Sequence, residues 1–135
     1  MNVGGVIVSY ILTALVFFAI DVVWLGLVAK NMYNRNIGHL MSSRVKWVAA
    51  VVFYLAFIVG ILVFAVYPSV DKDSLPRAVV LGALFGFFTY STYDLTNLAT
   101  LKDWPVSIAV VDIAWGMALT SVVSAIGFYI VRALT

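Results

Sequence analysis

The sequence predicts an all-α membrane protein: four transmembrane helices in an up-down-up-down antiparallel bundle. Three observations carry that reading. Hydrophobic residues make up 64% of the 135-residue chain and charged residues only 10%, whereas a soluble domain carries about 25% charge; the mean hydropathy is +1.11. The apolar excess is concentrated in four stretches, residues 3–29, 47–67, 78–99 and 106–131. Each reaches the roughly 20 residues that a helix needs to cross about 30 Å of hydrocarbon. The connections between them are short, which forces successive helices to pack antiparallel.

The whole chain, 1–135, therefore reads as a single transmembrane domain, with the lipid bilayer as its first partner. No soluble catalytic or nucleic-acid-binding domain fits in the remainder. The pI of 9.0 comes from a net charge of only +2 with no basic stripe, so no nucleic-acid partner is expected. With no cysteine, disulfides, thiolate metal sites and cysteine nucleophiles are excluded. No cofactor and no metal are expected.

The first span opens with Met1-Asn2-Val3-Gly4-Gly5. It lacks a basic n-region and is longer than the 7–15 apolar residues, roughly, of a signal peptide, so it reads as a mature helix. The connection 30–46 holds Lys30, Arg35, Arg44 and Lys46 and no acid. Met32, Tyr33, Ile37 and Leu40 are interspersed there. A solvated hairpin is the simpler reading; an amphipathic segment lying in the membrane interface is the other. His39, the single histidine, reads as a loop residue, because structural metal sites need about four ligands.

The second span ends before Pro68, and in the connection 68–77 Lys72 and Arg77 balance Asp71 and Asp73. The third span carries Gly82 and Gly86, a small-xxx-small pair that lets helices approach closely. That face belongs in the bundle or at the seam of a homodimer. Near its end, Asn97 marks either a helix break or, more simply, an uninterrupted helix before a tight turn. In the connection 100–105, Trp104 is placed as an interfacial anchor, and Pro105 fits the opening of the fourth helix. Lys102, Arg44 or Lys46 can snorkel inward from the span ends. Connections one and three hold five Lys/Arg against three in the termini and connection two. The positive-inside rule then places 30–46 in the cytoplasm and both termini outside.

The most informative residues are Asp21, Asp94 and Asp112, three carboxyls inside apolar spans. An intramembrane charge costs about 2.5–3.5 kcal/mol on insertion scales, so such residues face the bundle interior. At 1.5 Å per residue all three fall on the same side of the midplane, offset by roughly 8–10 Å. They form a layer. Trp24 follows Asp21 and Trp115 follows Asp112 by three positions, so each aspartate shares a helix face with an indole. Tyr90, Tyr93, Thr96 and Asn97 surround Asp94, and Tyr54 lies nearest this depth on the second span.

Such a layer has four uses. Trp and Tyr donors can satisfy the carboxyls across helices and lock their register, a purely structural or interaction role. Carboxylates that alternate between proton and substrate can carry a small solute, a cation or a proton. Asp94 and Asp112 can pair as an aspartic-protease-like dyad acting on a lipid or peptide. Three carboxylates can also approach Mg²⁺ or Mn²⁺, though a dedicated cage needs more oxygens. The layer is expected to serve the second. Asp94 and Asp112 bind cation or proton, Asp21 is the third acid, and Asn97, Tyr90, Trp24 and Trp115 orient ligand or carboxylates. Enzyme chemistry is left open, leaning against it.

Asp21-Val-Val-Trp24-Leu25, the Phe53-Tyr54 pair, the segment Tyr93-Asp94-Leu95-Thr96-Asn97 continuing to Trp104-Pro105, and Asp112-Ile-Ala-Trp115-Gly116 resemble a family of small four-span bacterial membrane proteins known only as a domain of unknown function. The resemblance covers nearly the whole chain. It implies a multi-pass protein of the bacterial cytoplasmic (inner) membrane and supplies no activity, substrate or catalytic residue.

Overall fold

The computed structural model describes all 135 residues and contains helices and turns but no strand. Four helices are long and apolar enough to span a membrane: α1 (Val3–Val28), α3 (Trp47–Asp71), α4 (Leu75–Thr100) and α5 (Val106–Leu134). A short helix, α2 (Lys30–Ile37), lies between the first two.

Local chemistry sets the ends. The Asn2 side chain accepts from the Gly5 N–H at 2.8 Å and caps α1. Ser74 accepts from the Arg77 N–H at 3.2 Å and caps α4, with Pro76 in its first turn, where a missing N–H costs nothing. Pro105 is the residue before α5. Between α4 and α5, Asp103 turns the chain with φ 63°, a left-handed conformation that short polar side chains tolerate.

The second span departs from its expected end and the third keeps to the simpler expectation, each for a local reason. The second span does not stop before Pro68 but runs on to Asp71. A π-helical turn over Leu62–Val66 precedes the proline and lets the ring fit without ending the helix. At the other boundary, α4 runs unbroken through Asn97 to Thr100. Thr92, Thr96 and Thr100 each return their hydroxyl to the carbonyl four residues back, which leaves the helix intact.

Neighbouring helices meet in opposite sequence order. Gly82 lies against Thr120 and Ser124, Gly86 against Thr120 and Gly116, and Tyr90 against Gly116, so α4 and α5 are antiparallel. Ser9 with Tyr67 and Phe17 with Phe57 do the same for α1 and α3. The α4–α5 contact is the tightest, because Gly82 and Gly86 remove the side chains that would hold the backbones apart. The Thr120 hydroxyl then reaches the Gly82 carbonyl at 2.6 Å. The small-residue face is thus filled by α5 of the same chain. The core runs through Phe17, Ile58, Ile61, Leu119 and Val123.

The first connection is not a solvated hairpin at its start. Ala29, Tyr33 and Ile37, spaced four apart, bury one face of α2 against Trp104 and Ile108. Trp104 is accordingly only 9% exposed. It does not serve as an exposed interfacial anchor, because α2 covers it.

Candidate functional site

The site is built where α2 folds back on the bundle. At Trp24 the first helix widens into a π turn, Trp24–Val28, closed by a 2.7 Å bond from the Ala29 N–H to the Trp24 carbonyl. Such turns re-aim the side chains next to them. Trp24 stacks on Trp115 of α5 with centroids 4.3 Å apart and planes 7° from parallel.

The two Asp-x-x-Trp pairs are crossed. Trp115 donates its indole N–H to Asp21 of α1 at 3.3 Å. Trp24 donates toward the Tyr33 hydroxyl at 3.4 Å, and Tyr33 donates in turn to Asp112 of α5 at 2.8 Å. Each indole therefore serves the carboxyl of the other helix, the second through α2. Burial pushes the Tyr33 phenol above its ordinary range, so it remains a donor at neutral pH.

Around this pair lies a cavity of about 420 Å³ with fourteen lining residues, within the size range of small-molecule sites. Asp21 and Asp112 are its only carboxyls, and no Lys, Arg or His reaches it. Phe17, Phe57 and Tyr90 belong to its wall, along with the Trp24–Trp115 stack. Tyr54 of α3 stands beside Asp21. Three residues that line the cavity, Leu25, Phe53 and Tyr93, are also exposed on the outside of the bundle. Of residues 47–56 only Ala50 and Tyr54 are even half-buried, so this wall is thin.

Asp94 does not line the cavity. It is fully buried and stands against Asp112 and the Trp104 indole, yet neither of its oxygens makes a hydrogen bond with the protein. Asn97, a turn further on, is half-buried beside Tyr93. So of the residues singled out in the sequence, Asp21, Asp112, Trp24, Trp115 and Tyr90 share one chamber. Asp94 sits directly behind Asp112, and Asn97 lies outside. No three His, Asp or Glu side chains are grouped to hold a metal ion, since the third carboxyl is screened from the chamber.

Lys102, Arg44 and Lys46 are exposed and make no ion pair with the three aspartates. His39 pairs on the surface with Asp103 at 3.6 Å, a contact of little energetic weight. The residue that sequence reading missed is Tyr33. The signal was present in the Ala29, Tyr33, Ile37 spacing, one face of a helix.

Fold and site together define a four-span all-α membrane protein with an aromatic, acid-lined chamber at one end of its bundle. The chain belongs to the family described as Predicted membrane protein (DUF2177), whose model matches residues 6–129 and so takes in every chamber residue. No curated protein and no solved structure matches it.

Proposed function

We propose that this protein holds a small cationic solute in the chamber between Asp21 and Asp112, and that Asp94 and Asp112 hold a proton that the cation displaces. In this reading it is a protein of the bacterial inner membrane, with the α2 end toward the cytoplasm and both termini outside. The observation that carries the reading is the placement of two carboxyls on a chamber that no basic residue enters. Asp94 supports it: two carboxyls set against each other in an apolar interior are most easily accommodated with one proton between them. A dyad enzyme is less well supported, because both of its carboxyls must reach the scissile bond and Asp94 is shielded.

The test is proton release. The full chain, in lightly buffered detergent solution at neutral pH, is titrated with a panel of salts: sodium, potassium, magnesium and tetraethylammonium chlorides. At least one is expected to release protons, and Asp112→Asn is expected to abolish the release while circular dichroism and elution volume stay unchanged. Release that persists in Asp112→Asn, or silence with every salt, would overturn the proposal.

A second reading has its own support. The Trp115–Asp21 and Tyr33–Asp112 bonds tie α1 and α2 to α5, which is what a purely structural role requires. Under that reading the same substitution lowers stability and no salt has any effect.

A further inference from the structure

We infer that the cation is an organic ammonium with apolar substituents, admitted to the chamber from the lipid side. The inference rests on the cation-binding reading above and names its substrate class.

The lining decides between cation types. Nine of the fourteen lining residues are aromatic. A Mg²⁺ or Ca²⁺ ion asks for six or more oxygen ligands, and the chamber does not group even three acidic or imidazole side chains. An alkylated ammonium asks for the opposite. Its charge is spread over a weakly hydrated surface, it lies well on indole and phenol faces, and sites of this kind are walled by aromatic rings. The carboxyls of Asp21 and Asp112 provide the counter-charge, and the rings of Tyr90 and the Trp24–Trp115 stack provide the faces.

The route follows from exposure. Leu25, Phe53 and Tyr93 reach both the chamber and the outer surface of the bundle. Beside Phe53 on the same helix, Val48, Val51 and Val52 carry exposed apolar side chains, which in a membrane face acyl chains. A ligand with apolar substituents can pass there without crossing a polar barrier.

The experiment reads tryptophan fluorescence of the full-length protein in lipid nanodiscs. The probes are benzyltrimethylammonium, its uncharged carbon isostere neopentylbenzene, and sodium, potassium and magnesium chlorides. Benzyltrimethylammonium is expected to quench saturably, with an affinity at least tenfold above that of the isostere. Asp112→Asn and Asp21→Asn are expected to weaken it at least tenfold each. Phe53→Trp, on the rim, supplies a second reporter and is expected to respond at the same concentrations. Saturable binding of an inorganic cation with none of benzyltrimethylammonium would overturn the ammonium assignment and leave the cation-binding reading standing. Equal binding of the isostere, or no response to any probe, would overturn both.

Discussion

Trp115 gives its indole N–H to Asp21, 94 positions earlier in the chain, at 3.3 Å, while its ring lies flat on Trp24. One side chain thus closes α1 onto α5 twice, by a hydrogen bond and by a stack, at the level where the helices would otherwise be parted by buried acid. The crossed pattern, in which each indole serves the other helix's carboxyl, makes the two Asp-x-x-Trp pairs interdependent.

Comparing the loss of the N–H with and without its acceptor isolates the first contribution, because a phenyl ring in place of the indole also gives up part of the stack. Hydrogen bonds between membrane helices average about 0.6 kcal/mol with a maximum near 1.7, and a buried acceptor left unsatisfied costs about 1–3 kcal/mol. Trp115→Phe is therefore expected to lower stability by about 1–2 kcal/mol in a reversible unfolding titration. In the Asp21→Leu background the same change should cost clearly less, since the acceptor is gone. Equal costs in both backgrounds would show the bond to carry no energy.

Tyr33→Phe tests whether α2 is latched to the bundle. The Tyr33 hydroxyl makes the polar ties between the buried face of α2 and the chamber, donating to Asp112 at 2.8 Å and accepting from the Trp24 N–H at 3.4 Å, and its loss should expose the 30–46 segment to limited proteolysis. The phenol's ionisation is raised, by burial first, with Asp112 and Asp94 adding to it and the Trp24 N–H opposing. A group whose folded value lies above its unfolded one, near 10, gives stability in full below that pH and loses it as pH rises further. The stability difference between the parent and Tyr33→Phe should thus hold steady from pH 6 to about 9 and shrink above about 10.

The bundle itself was legible because its causes are local. Four apolar runs, the short connections between them and the Gly82/Gly86 pair each act within a few residues of themselves. The depth of the aspartates followed from counting residues along rods. What could not be read was which carboxyl sees the chamber. Asp94 and Asp112 stand at the same level, and only the rotation of α4 against α5 turns one inward and hides the other. Trp104 was misplaced for a related reason: its burial depends on α2, whose amphipathic spacing is spread over a short, charged segment.

The α4–α5 seam gives a prediction with an internal control. A Cβ on Gly86 would run into the Thr120 hydroxyl and the Gly116 carbonyl, both held by helix packing. Gly86→Ala is expected to cost about 1–3 kcal/mol, as overpacking does. Gly26, with nothing within 4 Å of a built Cβ, should accept alanine with a change within about 0.5 kcal/mol. Thermal melts of the two variants in one detergent make the comparison direct.

Asp94 yields the prediction that separates chemistry from architecture. It is fully buried, stands against a second carboxyl, and accepts no hydrogen bond from the protein. Even with one proton shared with Asp112, its other oxygen has no partner, and an unsatisfied buried polar group costs about 1–3 kcal/mol, so an apolar residue of similar shape at this position should relieve that cost. Asp94→Leu is expected to raise the melting temperature, and Asp94→Asn to leave it near the parent's. A residue whose removal stabilises its own fold is kept for what it does, and intramembrane carboxyls of that kind mark ion and proton paths. Both variants should therefore lose cation-driven proton release while folding as well as or better than the parent. If Asp94→Leu instead melts several degrees lower, Asp94 is a structural member of the α4–α5 contact, and the proton must be sought on Asp21 and Asp112 alone.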